Sequence, residues 1–495
     1  MVRRPTPKTT RKATIARAAR GKSARAGAKP AGSGFRAKIR MYRQGLGDSF
    51  LITLPRTDKG RDGRDNFYIL IDCGVILGTP DAVARMTKVV QNITADTKGE
   101  IDLLVVTHEH WDHVSGFVQA KDLFDKLKVH EVWMAWTEDP KDDLANRLRA
   151  ERETALAALR FALSEYQLAG DSQSTEDLGG ILEFFGAAKG GTTKDALNNA
   201  LALAPNARRF CLPKGRDNPI DIAPAGVKVY ILGPPHDEKQ LRKINPSKAD
   251  QETYGLALGE LSNFLDGVRS AFGLSEDNPA PSFQGGDDPD RPFQPLNDIP
   301  FSVAREMDFF KQHYWRTDSK DDEWRRIDGA WLQGSAELAL QLDSITNNTS
   351  LALAIELDGG DVLLFAADAQ VGNWLSWQDL TWSVDGKTVT AADLLHRALF
   401  YKVGHHASHN ATLREKGLEL MQSLQVAMIP VDEKMAQKKH WNHMPLPELV
   451  DRLTEKANAV IRVDRPLPTA GAGFRLRASS EQFEDNSELY YELSL

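Results

Sequence analysis

Cysteine is nearly missing: Cys73 and Cys211 are the only two in 495 residues. Two thiols exclude a disulfide framework and any four-thiolate zinc site. Long hydrophobic runs are missing as well. No stretch approaches the roughly 18 consecutive apolar residues of a membrane helix, and no apolar core follows the N-terminus as in a secretory leader. These absences predict a cytoplasmic chain without a membrane partner. Acidic residues are absent from residues 1–40, which hold 13 Lys/Arg; with a net charge of −7 overall, the remainder carries −20. Aromatic side chains are absent before Phe35. A segment so poor in apolar surface cannot offset its ordering entropy, so residues 1–34 are predicted to be a disordered basic tail. The tail reads as a nucleic-acid-binding arm or as a solvated segment that contacts the acidic body, with an organellar leader as a third option.

What is present, with 41% hydrophobic residues, suffices for a sizeable core. Alternating or continuous apolar runs predict strands at 37–42, 49–54, 67–72 and 101–106, with a turn at 59–63 and a helix over 80–93. Leu144, Leu148, Leu156, Leu159 and Leu163 recur at mostly helical spacing, so a helical insertion is expected over about 137–225, with Gly170 ending its first helix. Strands are predicted again at 227–232, 350–357 and 361–367. A second insertion, about 236–340, contains the Pro/Asp/Gly-rich stretch 275–300, read as a loop. Strand, helix, strand in this order predicts an α/β layered domain spanning 35–495.

Chemistry concentrates in His108-Glu109-His110-Trp111-Asp112-His113, where three of the chain's 12 histidines fall within six residues, directly after an apolar strand. His108 and His110, one residue apart on extended chain, can share one metal; Asp112 and His113, past a turn, can face a second. Imidazole and carboxylate donors suit Zn²⁺, and equally Mn²⁺ or Fe.

Thr-His-x-His-x-Asp-His after such a strand resembles the first metal motif of the metallo-β-lactamase fold. Ile69-Leu70-Ile71-Asp72-Cys73-Gly74 resembles that family's strand-end Asp-x-Gly, whose Asp bonds the metal-binding loop rather than an ion. Leu363 to Asp368 resembles the strand delivering the metal-bridging aspartate, with Ala367 where the family more often has Gly. Lys402-Val403-Gly404-His405-His406-Ala407-Ser408 is similar to a Lys-x-x-His-His-Gly-Ser motif, with Ala407 for Gly. That motif is typical of the branch containing the hydrolase domain of competence-type DNA-uptake proteins. Gln44 to Ser49, Asn348-Thr349-Ser350-Leu351 and His443-Met444-Pro445 fall where that branch has similar words.

The resemblance implies an αββα sandwich holding two divalent ions, Zn²⁺ first and Mn²⁺ as the alternative. His108 and His110 would serve metal 1, Asp112, His113 and His406 metal 2, and Asp368 both. His405 would line the substrate pocket. A third histidine for metal 1 is not evident. His130, His236 and His313 are the only histidines between the first motif and Asp368, and His236, after a strand and a Gly-Pro-Pro turn, is read first as an exposed loop residue. In that case Asn348, water or substrate would complete the site. Lys402 is read either as a charge for a substrate phosphate or as a partner of a nearby carboxylate. His443 is read as a proton donor to a leaving group or as a solvent-facing loop residue.

The expected activity is a metal-dependent hydrolase in which a metal-bridging hydroxide attacks phosphodiesters, nucleic acid among them. The alternatives are a small-molecule ester, lactone or thioester hydrolase, and a metal-bound module whose helical insertion recruits a protein partner.

Overall fold

Strands with alternating inward and outward apolar side chains build two sheets that share one interior. The computed structural model describes residues 34–57, 63–169, 172–186, 192–243, 299, 301–304, 306–314, 335–439, 441, 443–469 and 471–495. The expected tail, the predicted turn around 59–63 apart from Gly63, Gly170 and nearly all of the Pro/Asp/Gly-rich stretch lie outside the described residues.

The strands in chain order are β1 Lys38–Tyr42, β2 Ser49–Pro55, β3 Asn66–Cys73, β4 Glu100–Val105, β5 Lys128–Ala135, β6 Arg208–Cys211, β7 Ile220–Ile222, β8 Val227–Gly233 and β9 Ala352–Glu356. They continue with β10 Val362–Phe365, β11 Thr381–Val384, β12 Lys387–Thr390, β13 Ala398–Lys402, β14 Val426–Ile429, β15 Ala459–Arg462, β16 Arg475–Ala478 and β17 Tyr490–Ser494. One sheet runs β16-β17-β1-β2-β3-β4-β5-β6 and the other β15-β14-β13-β10-β9-β8-β7, while β11 and β12 form a separate ribbon.

The period of two decides what each face touches. Phe50, Ile52, Ile69, Ile71, Leu103 and Val105 of the first sheet meet Leu353, Ile355, Leu363, Phe365 and Phe400 of the second in one core. The opposite faces are covered by helices. Leu51, Leu70 and Leu104 pack with Met86, Val89, Val90 and Ile93 of the helix Ala82–Thr97. Ala354, Leu364 and Tyr401 join Leu159, Leu342, Trp374 and Trp377 on the far side. Each fully buried Leu, Ile or Phe contributes about 1.5–3 kcal/mol, so both faces of both sheets stabilise the fold. The result is an αββα sandwich. Among the described residues no helix is long and apolar enough to cross a membrane.

Among the described residues, the insertion expected as helical over 137–225 is α-helical in Asp143–Ala169, Ser172–Leu182 and Thr193–Ala202. Beyond these, β6 pairs with β5 in the first sheet and β7 with β8 in the second. Both strands are short, four and three residues, and their alternation is too brief to read from sequence. The interval 236–340 likewise ends inside a helix, Ser335–Asn348, which carries Leu338, Ala339 and Leu342 into the core.

Candidate metal centre

Four strand ends deliver the site to one rim of the sandwich. Asp72 lies in β3, His108 to His113 follow β4, Asp368 follows β10, and His405-His406 follow β13. His108, His110, Asp112, His113, Asp368, His405 and His406 are all buried. Asp48, His113, Asp368 and His406 each place a donor atom within 4.8 Å of the others.

Tight backbone turns aim these side chains. Asp72, Ala367, His405, His406 and Ala407 all have positive φ. Non-glycine residues in that region cost about 1–3 kcal/mol each and persist where surrounding contacts over-determine them. Ala367 and Ala407 therefore occupy positions whose backbone suits glycine. The turn before β2 clamps the short helix Trp111–Val114 from outside. Asp48 N donates to Asp112 O at 3.0 Å, and Gly74 N to Asp48 O at 2.9 Å. Gly47, at φ +146°, leaves no room for a side chain: a Cβ there would lie 2.6 Å from the carbonyl oxygens of Asp112 and Gly74. Gly47→Ala is expected to cost about 1–3 kcal/mol, the usual range for overpacking a tight contact, with a matching loss of metal affinity. Denaturant melts and metal titration of the variant check this, and unchanged values for both would contradict it.

Hydrogen bonds on the far side of each ring select the nitrogen that faces the centre. Thr107 N and Oγ1 donate to the two Asp72 oxygens at 2.8 and 2.6 Å, and His113 Nδ1 lies 2.8 Å from Asp72 Oδ2. Because the Thr107 hydroxyl proton points at Asp72, His108 Nδ1, 3.1 Å away, is the donor to Thr107 Oγ1. His406 Nδ1 donates to Pro430 O at 2.8 Å. Three rings are thus left with Nε2 facing inward, the arrangement that metal-binding histidines require. His113 Nε2 is 3.1 Å from Asp368 Oδ2, and His406 Nε2 is 2.9 Å from Asp112 Oδ2 and 3.4 Å from Asp368 Oδ2.

Several inward atoms have no partner. His108 Nε2, His110 Nε2 and Asp112 Oδ1 are buried without a hydrogen bond. A buried polar atom left unsatisfied costs about 1–3 kcal/mol, and here three lie within five residues of one segment, with the His108 ring 4.8 Å from His110 and 4.2 Å from His113. Imidazole and carboxylate are the donors that divalent transition metals take. The residues present therefore fit a divalent metal ion, with Asp48, His113, Asp368 and His406 as the group whose donors all lie close together among the described residues.

Charge points the same way. Asp48, Asp72, Asp112, Asp343 and Asp368 crowd one buried region. Burial alone would lower the His113 pKa, but Asp368, Asp48, Asp112 and Asp72 outweigh it and hold the ring well above its ordinary value. His406 is raised in the same way against burial, by Asp368 and Asp112. His108 is pushed well below, and His110 down to about 3, mainly by burial and by neighbouring rings. An ion entering this set must expel protons from His113 and His406, whereas His108 and His110 are already neutral. Metal affinity should therefore rise with pH through neutrality, with proton release on binding. Calorimetry in buffers of different ionisation enthalpy reads the protons; zero release would contradict the assignment.

Lys402 sits behind Asp368. Its Nζ bonds Asp48 Oδ2 at 2.5 Å, Asp368 Oδ1 at 3.1 Å and Ala367 O at 3.0 Å. Burial alone would lower its pKa, but Asp48 and Asp368 raise it above the usual lysine value. All three ammonium donors are engaged, so this is the carboxylate-pairing arrangement rather than a charge offered to substrate. His405 turns away from the ligands: Nδ1 is 2.8 Å from Ser408 Oγ and 3.2 Å from Gln370 Nε2, and Nε2 is 3.5 Å from Asn347 Nδ2. With Phe184, Asp343, Gln370, Trp441 and His443 it lines a cavity of about 260 Å³. His443 is exposed at that cavity.

Neither residue named for the third ligand of metal 1 reaches the centre. The His236 side chain is 42% exposed, bonds Asp142 Oδ2 at 2.8 Å and packs over Trp136. Asn348 spends its amide on the carbonyls of Leu241 and Lys243, and its Oδ1 accepts from Asn373 N. His130 bonds Glu100 from the surface and His313 is exposed. Two residues in the centre were not singled out from sequence. Asp48 faces the Nδ1 edges of His113 and His406, each at 3.8 Å, and its signal was the Gly45-Leu46-Gly47-Asp48 turn. Asp343 lies with its Oδ1 3.8 Å from His110 Nε2.

The helical insertion forms part of the wall. Arg152 pairs with Glu109 inside the metal loop. The rings of Phe184 and Phe185 lie 5.3 and 5.0 Å from His110, and Phe184 stacks on Trp441 at 4.6 Å. Trp374, Trp377 and Trp382 are core residues.

No curated protein matches the chain. Residues 50–185, from β2 through the helix Ser172–Leu182, match the family model of the metallo-beta-lactamase superfamily. The αββα sandwich and the buried His/Asp group at its rim agree with that match, so the chain carries a region similar to the metallo-beta-lactamase superfamily together with donors able to hold a metal ion.

Proposed function

We propose that the protein hydrolyses phosphodiesters at a dinuclear centre, in which His108 and His110 would hold metal 1, Asp112, His113 and His406 would hold metal 2, and Asp368 would serve both. The observation that carries this reading is the convergence of unpartnered, buried His108 Nε2, His110 Nε2 and Asp112 Oδ1 beside His113 Nε2, His406 Nε2 and Asp368. When bound, the ions would activate a water for attack and polarise the scissile bond. The chain's own residues do the rest. Asp72 fixes the His113 ring and the Thr107 turn. Lys402 holds Asp368 Oδ1, leaving Oδ2 free to face the ligands. His405, oriented by Ser408, lines the cavity, where its ring can contact a substrate oxygen. His443, at the same cavity, is placed to give a proton to a leaving group. The Lys402 to Ser408 resemblance to competence-type hydrolases and the 13 basic residues among the first 40 support a polyanionic substrate, nucleic acid included.

One observation favours a second reading. Among the described residues, the walls of the cavity hold no lysine or arginine and present Phe184, Leu340, Trp441 and Met444. That lining suits a small neutral ester, lactone or thioester. A panel of chromogenic phosphodiesters, single- and double-stranded DNA and RNA, lactones, thioesters and β-lactams separates the two. Turnover of phosphodiesters well above the others supports the first reading; turnover of the neutral substrates alone replaces it with the second.

A further inference from the structure

A buried carboxylate outside the recognised motifs points into the centre. The helix Ser335–Asn348 carries Ala339, Asp343 and Asn347 at successive four-residue steps, so the three share one face. Asn347 Nδ2 donates to Asp343 Oδ2 at 3.1 Å, which fixes the carboxylate plane. The other oxygen, Oδ1, is buried with no hydrogen bond and lies 3.8 Å from His110 Nε2, which has none either. Two unsatisfied buried atoms facing each other are costly unless something sits between them. An ion between them would take an imidazole nitrogen from one side and a carboxylate oxygen from the other. Donors about 2.0–2.2 Å from one ion can be as far apart as about 4 Å, and 3.8 Å falls within that span.

Resting on the dinuclear reading above, we propose that Asp343 Oδ1 completes metal 1 together with His108 and His110, in place of a third histidine. No histidine between the first motif and Asp368 competes for the place. Two imidazoles with carboxylate oxygen form a harder donor set than three imidazoles, and such sets accept Mn²⁺ or Fe²⁺ more readily relative to Zn²⁺.

The test is metal stoichiometry on the full chain, reconstituted with Mn²⁺ or Zn²⁺ and read by elemental analysis. The wild type should bind two ions. Asp343→Ala and Asp343→Asn should keep one, or hold the second at least tenfold more weakly. Asp343→His should restore two and shift the preference of that position toward Zn²⁺. The near-isosteric Asp343→Asn also separates ligation from folding: its metal-free melting temperature should equal that of the wild type, while the rise on adding metal shrinks. If Asp343→Ala and Asp343→Asn both bind two ions with wild-type affinity, the assignment of Asp343 falls while the metal centre stands. A wild type that takes up no ion overturns the dinuclear reading itself.

Discussion

His406→Ala should lose both bound metal and turnover, whereas His405→Ala should keep its metal and lose turnover by roughly 10²–10⁴-fold. The two rings are adjacent in sequence, yet both lie at positive φ and they point apart, with centroids 5.9 Å from each other. His406 is anchored through Nδ1 to Pro430 O and brings Nε2 to Asp112 and Asp368. His405 is anchored to Ser408 and Gln370 and lines the cavity instead. A ligand's removal takes away the ion on which the whole reaction depends. Removal of a group that only contacts substrate leaves that ion in place. Metal content and rate measured on the same preparations decide between them. Metal lost from His405→Ala and retained in His406→Ala would reverse the roles; metal lost from neither would remove the pair from the centre.

Lys402→Met should destabilise the metal-free protein by about 3–5 kcal/mol, the typical result of breaking a buried ion pair from one side. Asp48 and Asp368 would then stand as neighbouring buried carboxylates without their shared ammonium. Saturating metal should recover part of the loss, because an ion at Asp368 replaces some of the missing positive charge. Urea unfolding with and without metal measures both quantities. A variant as stable as the wild type would show that Lys402 does not balance this cluster. A variant that folds, binds metal normally and loses only affinity for phosphodiesters would return Lys402 to the substrate.

The layered fold and the first half of the centre were legible because their signals are local. Strands β1 to β4 alternate over five to eight residues, and His108 to His113 compress four proposed ligands into six positions. Strands β6 and β7 were hidden inside a predicted helical insertion because three or four residues carry no measurable period. The C-terminal strand β17, which pairs with β1 across 450 residues of sequence, leaves no local trace of that partnership. The same distance problem concealed Asp343. Its helix starts inside the interval read as the second insertion and was not predicted, and it is the fold that brings Asp343 to 3.8 Å from His110. Lys402 was ambiguous from sequence because a lysine at a strand end serves either a substrate or a carboxylate, and only the positions of Asp48 and Asp368 distinguish them.

The most direct measurement is elemental analysis of the purified full chain, before and after exhaustive chelation, on the same samples assayed for phosphodiester hydrolysis. The account predicts two bound divalent ions, loss of turnover as they are removed, and recovery on adding back Zn²⁺ or Mn²⁺. Full turnover in a chelated sample containing no metal would contradict it.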